Sequence, residues 1–165
     1  MELYFIRHAI AVDRLDPQVK NDEQRWLTDA GIEKMEKAAR GFAKLVKPLD
    51  AIYTSHYVRA KQTAEIVRRM LSSSGPLITT SNLAPGVGFD AFLDLCLEAK
   101  ADARLAFVGH EPDMSGLIAK LISAGSAVVE MKKGAICRVD VPGAPAVQRG
   151  VLIWLLPPKT LRALA

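Results

Sequence analysis

Arg7, His8, Arg59 and His110 are the residues of this chain whose types and settings suit chemistry on an anion. Arg7 and His8 follow Leu3-Tyr4-Phe5-Ile6, an apolar run with two aromatic residues and a β-branched one that reads as a buried strand. A guanidinium there offers a planar, permanently charged fork for phosphate. An imidazole offers a nucleophile. Arg59 lies in Thr54–Thr63, after a second apolar strand and in the first turn of a helix, where free N–H groups and the helix dipole already favour an anion. His110 ends a third apolar run, Leu105-Ala106-Phe107-Val108-Gly109. Each has a plain structural reading by itself: a histidine closing a strand, an exposed helical arginine, a polar strand end before a helix. Together they would surround a phosphoryl group with two guanidinium forks and two imidazoles. In-line phosphoryl transfer needs charge neutralised on the equatorial oxygens and a positioned nucleophile. Nearby positive charge also holds a histidine in its neutral form, the form that can attack phosphorus.

These residues need one sheet with its strand ends gathered, since open α/β sheets bind ligands at the carboxyl ends of their strands. The remaining pattern supplies it. Residues 10 to 27 read as a long polar surface loop, a type that in compact domains is usually functional or disordered. Thr28 is a good N-cap for a helix whose apolar face is Ile32, Met35, Ala39, Phe42 and Val46, with Leu27 and Ile32 closing a staple and Pro48 ending it. Asp50–Thr54 and Leu77–Thr80 read as short strands flanking a helix over Val58–Leu71, and a third helix is expected over Asp90–Lys100. Pro112 suits the first turn of a helix carrying Met114, Leu117, Ile118, Leu121 and Ile122. Two strands, near 135–141 and 150–156, close the pattern; Pro157-Pro158 stops the last one, and the tail beyond reads as peripheral. Alternating strands and helices predict an α/β fold, a three-layer α/β/α sandwich whose mostly parallel sheet carries an antiparallel edge.

The 165 residues suit one domain spanning 1–165 with a proper core, and half of them are hydrophobic. The net charge of +4 (22 − 18) suits an anionic ligand, but no Lys/Arg-rich run calls for nucleic acid. Cys96 and Cys137 lie far apart in apolar surroundings, read as buried free thiols of a reducing compartment, and form no metal-ligand pattern. No secretory segment and no membrane-spanning apolar stretch is evident, so a cytoplasmic protein is expected.

Phe5-Ile6-Arg7-His8-Ala9 resembles the Arg-His-Gly signature of the histidine phosphatases, the phosphoglycerate mutase-like superfamily. Ser55 through Thr63 resembles that superfamily's Ser-Pro-x-x-Arg-Ala-x-Gln-Thr segment. Gly109-His110-Glu111-Pro112 and Arg25-Trp26-Leu27-Thr28-Asp29-Ala30-Gly31 resemble the small SixA-type phosphohistidine phosphatases. The resemblance implies that His8 is the nucleophile and is transiently phosphorylated, that Arg7 and Arg59 bind the phosphoryl oxygens, and that His110 stabilises the group in transfer. It implies no metal or other cofactor. Ala9 departs from the usual glycine and His56 from the usual proline; His56 could reach the phosphate or be a surface histidine ahead of a helix.

Larger family members carry, in an inserted cap, an acid that protonates an alcohol leaving group. Only 51 positions (110 − 59) separate Arg59 from His110 here, and the loop where an acid would sit reads Ser81-Asn82-Leu83-Ala84-Pro85. Asp90 and Glu111 read as helix N-terminal charges; they, Asp13 and Asp22 are the carboxylates to test as acids. An alkoxide leaves poorly without an acid, whereas the P–N bond of phosphohistidine is labile. The expected substrate is therefore phosphohistidine on a signalling protein, such as a histidine phosphotransfer-type domain. A small phosphomonoester is the alternative. A phosphate- or phosphoprotein-binding module without turnover is a third reading.

Overall fold

The most deeply buried strands lie at the centre of the sheet. In the computed structural model, which describes residues 1–165, the strands are β1 (Glu2–Arg7), β2 (Ala51–Ser55), β3 (Leu77–Thr80), β4 (Arg104–Gly109), β5 (Ile136–Asp140) and β6 (Val151–Leu156), in the order β3-β2-β4-β1-β5-β6. Strands β3, β2, β4 and β1 run parallel, and β5 and β6 are added antiparallel. This is the mixed α/β arrangement expected of a phosphoglycerate mutase-like fold.

Both faces of β1 are covered, which is why it reads as an unbroken apolar run rather than an alternating one. Leu3 and Phe5 enter one core cluster with Phe92, Phe107 and Leu117, while Tyr4 and Ile6 enter the other with Phe42, Val67 and Val108. The first cluster lies under α3 (Phe89–Asp94) and α4 (Asp113–Ser123). The second lies under α1 (Asp29–Ala43), α2 (Val58–Met70) and α5 (Pro158–Ala163). No helix is long and apolar enough to cross a membrane.

Several boundaries differ from the expected ones. Thr28 caps α1 as predicted, its Oγ1 accepting from Gly31 N–H at 3.0 Å, but the helix ends at Ala43, short of Val46 and Pro48. α3 stops at Asp94, and residues 95–97 continue in tighter i→i−3 turns. Pro112 precedes α4 as its cap rather than occupying its first turn. The tail is not peripheral: after Pro157-Pro158 the chain forms α5, with Leu161 fully buried against α1. Proline that stops a strand also starts a helix well, because its fixed φ and missing N–H suit the first turn. Gly41 permits the approach, since a Cβ there would stand 1.8 Å from the Leu161 carbonyl oxygen.

The 10–27 loop is pinned at its base. Ala11 bridges Leu27, and Val12 N–H donates to Trp26 C=O at 2.9 Å. A single 3-10 turn at Asp22–Gln24 lies in its second half.

Candidate active site

Register brings the two histidines together. Arg7 on β1 stands opposite Gly109 on the parallel neighbour β4, so His8 and His110 are each the first residue past adjacent strands. Their ring centroids are 5.2 Å apart. β2, on the other side of β4, ends at Ser55, whose Oγ lies 2.9 Å from His110 Nε2. Arg59 enters from the first turn of α2, which follows directly. The four residues singled out in the sequence thus meet at one edge of the sheet.

The His8 ring is oriented by its own chain. Nδ1 is 2.7 Å from the Ala9 carbonyl, which can only accept, so Nδ1 carries the proton and Nε2 keeps its lone pair. Arg59 Nε–H donates to that lone pair at 3.3 Å. Burial lowers the His8 pKa to about 3; the Ala9 hydrogen bond opposes this, and the positive charges of Arg59, Arg7 and Lys133 add to it. Burial likewise lowers His110 to about 3, helped by His8 and Arg59. Both imidazoles are neutral at physiological pH. The backbone is held as firmly: His8 N–H donates to Gly109 C=O at 3.0 Å, and Ala9 N–H donates to Thr63 Oγ1 at 3.0 Å. Thr63 in turn donates to the Arg59 carbonyl at 2.7 Å, tying the strand before His8 to the helix that carries Arg59.

Arg59 is buried, not the exposed helical arginine that its sequence position also allowed. Its guanidinium is held from the far end by Asp22: Nη1 donates to the Asp22 carbonyl and Nη2 to Asp22 Oδ2 at 2.9 Å. Asp22 also takes Arg25 at 2.9 Å and Arg14 at 3.2 Å. Burial works to raise the Asp22 pKa, but the hydrogen bonds from Arg25 and Arg59 outweigh it and bring it to about 2. Asp22 is therefore a fixed carboxylate, unsuited to donating a proton. The other carboxylates considered as acids are also engaged or placed structurally: Asp13 caps the turn at Leu15, Glu111 binds Ser115, and Asp90 stands in the first turn of α3. Asn82 donates to the Ala91 carbonyl at 2.9 Å.

Arg7 Nη1 donates to Met131 C=O at 2.6 Å, and Gly134 N–H reaches the carbonyls of both Arg7 and His8. Arg7 Nε and His110 Nδ1 are buried with no hydrogen-bond partner. Leaving a buried polar group unpaired costs about 1–3 kcal/mol; in the tautomer whose Nε2 accepts from Ser55, both of these groups are N–H donors, which the oxygens of an anion would satisfy. His56 is at the rim, its Nε2 2.6 Å from Glu23 and its ring edge-on to Tyr57. Sequence reasoning missed the anchoring roles of Asp22, Ser55 and Thr63 and the whole 131–134 segment. Ser55 and Thr63 stood inside a recognised motif; the 131–134 segment carried no signal.

Comparisons with known proteins bear on the family and on the fold. Residues 3–84 match the model of the histidine phosphatase superfamily (branch 1). An uncharacterized protein of Picosynechococcus sp. is 40% identical over 116 residues, covering 69% of this chain and 68% of that protein. The chain belongs to the histidine phosphatase superfamily. Among solved structures, the fold is similar to that of the protein histidine phosphatase SixA complexed with tungstate (TM-score 0.85, 23% identity, 98% of this chain and 99% of that one). It is similar also to a mycobacterial glucosyl-3-phosphoglycerate phosphatase (TM-score 0.71, 14% identity, 92% and 96% covered). A phosphoserine phosphatase from Entamoeba histolytica shares it too (TM-score 0.68, 15% identity, 93% and 95% covered).

Proposed function

We propose that this protein is a phosphatase working through a phosphohistidine at His8, and that its substrate is phosphohistidine on a protein, such as a histidine phosphotransfer-type domain. The observation that carries the reading is the state of His8: a neutral ring whose Nδ1–H is spent on Ala9 and whose Nε2 lone pair lies beside the Arg59 guanidinium. In the scheme that follows, Nε2 attacks phosphorus in line, a new N–P bond forms, and the bond to the leaving group breaks with its electron pair. Arg7 and Arg59 neutralise charge on the phosphoryl oxygens, and His110 hydrogen-bonds the group in transfer. Water then cleaves the His8–P bond, releasing inorganic phosphate and restoring the neutral ring. The scheme uses no metal.

The choice of a P–N substrate rests on the carboxylates. Asp22 is tied to three arginines, and Asp13 and Glu111 are engaged elsewhere. An alkoxide would leave without a matched acid. A phosphohistidine already protonated on its other ring nitrogen leaves as neutral imidazole and needs none. The SixA neighbour, a protein histidine phosphatase, shares the fold over nearly its whole length, which supports the same reading. A small phosphomonoester is the second reading, supported by the fold shared with the glucosyl-3-phosphoglycerate and phosphoserine phosphatases. The buried free thiols of Cys96 and Cys137 support a cytoplasmic setting.

A paired rate assay tests the proposal, using a phosphohistidine-bearing phosphotransfer domain and the alkyl ester 3-phosphoglycerate, whose alkoxide needs an acid to leave, with His8→Ala as control. A fast, His8-dependent rate on the phosphoprotein alone is expected. A faster rate on the ester would transfer the assignment to small phosphomonoesters. No His8-dependent rate on either would leave the binding-module reading.

A further inference from the structure

Beside the site, a surface cleft gathers cations without anions. Ala9, the residue after His8, lines it with Lys34 of α1, Lys133 and Gly134 of the 131–134 segment, and Arg162 of α5. None of the three cations forms an ion pair. Arg14, Arg25, Lys37, Arg59, Arg69, Arg104 and Arg138 all lie within 4.0 Å of a carboxylate. Lys34, Lys133 and Arg162 are three of the fifteen Lys and Arg side chains (22 − 7) without an ion pair, and they share one cleft. Lys34 and Lys133 are exposed and Arg162 is half-buried, so all can meet a partner. Gly134 N–H also binds the carbonyls of Arg7 and His8, which fixes the cleft to the catalytic strand.

The cleft is small, about 30 Å³, and opens to solvent, so its cations line a rim and do not enclose an anion. Carboxylates on a protein surface, laid across the rim, would reach all three cations from outside. Charges at such a rim act mainly on encounter and on KM, and weaken with salt.

We propose that this cleft is a docking site for the acidic surface of the phosphoprotein substrate, oriented so that its phosphohistidine enters at His8. The proposal rests on the phosphoprotein reading and adds how the partner is recognised.

Lys34→Glu/Arg162→Glu is the test variant, since neither residue belongs to the catalytic machinery. Its kcat/KM is measured on an acidic phosphotransfer domain phosphorylated with phosphoramidate, on para-nitrophenyl phosphate and on 3-phosphoglycerate. A loss of tenfold or more on the phosphodomain at low salt is expected, carried by KM, with a flatter salt dependence and unchanged rates on both small substrates. Lys34→Gln/Arg162→Gln should show a smaller loss in the same direction, with an unchanged melting temperature. Unchanged kinetics on the phosphodomain would overturn the proposal. A loss on 3-phosphoglycerate without one on the phosphodomain would overturn it in favour of a second anion on a small molecule. Binding separates this from the catalytic reading. If the wild type turns over no substrate, the affinity of His8→Ala for the phosphodomain is compared with that of His8→Ala/Lys34→Glu/Arg162→Glu. Weaker binding by the latter supports docking, and equal binding refutes it.

Discussion

Asp22→Asn removes one charge and leaves the shape almost unchanged. The wild-type carboxylate sits 2.9 Å from Arg59 Nη2, and the Arg59 side chain is only 5% exposed against 31% for Asp22. Removing one partner of a fully buried pair costs about 3–5 kcal/mol. Asp22 is about a third exposed, so water screens the loss, and about 1–2 kcal/mol is the better expectation. Asparagine keeps the backbone carbonyl that accepts from Nη1, so the guanidinium stays in the site with looser aim. Where about 1.4 kcal/mol of that loss is expressed in the aim of Arg59 at the transition state, kcat/KM falls by roughly tenfold. A misplaced catalytic group acts on the transition state, so the fall should lie in kcat more than in KM. It should be the same on a phosphohistidine protein and on para-nitrophenyl phosphate, because Asp22 acts through Arg59 and not on the leaving group. Steady-state kinetics on both substrates across pH measure this. An equal or higher rate would refute the reasoning: Asp22 would then occupy the place of the phosphoryl group and compete with it. A loss on an alkyl ester such as 3-phosphoglycerate but not on para-nitrophenyl phosphate, with an altered pH profile, would make Asp22 the missing acid.

Three further outcomes follow from the same contacts. The folded pKa values of His8 and His110 lie at about 3, against an ordinary 6.5. Between those values the unfolded chain binds protons that the folded chain refuses, so stability should fall as pH drops below about 6.5, by up to ~1.4 kcal/mol per pH unit for each ring. Urea midpoints at pH 7, 6 and 5 check this; a flat series would contradict the neutral rings, and His8→Ala should shallow the slope. Ser55→Ala leaves His110 Nε2 without its partner and should cost about 1–3 kcal/mol of stability, with kcat falling on the order of tenfold; wild-type kcat would show that Ser55 does not orient His110. Leu161→Ala should cost about 2–5 kcal/mol in urea unfolding, as expected for a buried leucine, while kcat at 25 °C stays near wild type; a negligible cost would mean that α5 does not dock on α1.

What was legible in the sequence follows from what each segment buries. β1 and β4 could be read because both faces are covered, leaving apolar runs that stop abruptly at Arg7-His8 and His110. Register then did the rest, since a parallel pair ending together puts the next residues side by side. Arg59 could be placed by its motif, but its burial could not, because that depends on Asp22 folding across from a loop of many similar polar residues. The 131–134 segment reaches the site only through the antiparallel pairing of β5 with β1, a long-range fact without a local pattern. The tail was misread because Pro157-Pro158 has two meanings, stop for a strand and start for a helix, and only the apolar face of Leu161 could have decided between them.

The central claim is that His8 Nε2 becomes phosphorylated during turnover. Wild-type enzyme mixed with a phosphohistidine protein is quenched in base within the first turnovers, digested and examined by mass spectrometry. The account predicts one phosphoryl group on the peptide containing His8, formed and lost at rates consistent with turnover and absent from His8→Ala. A phosphoryl group on another residue, or active turnover by His8→Ala, would contradict it.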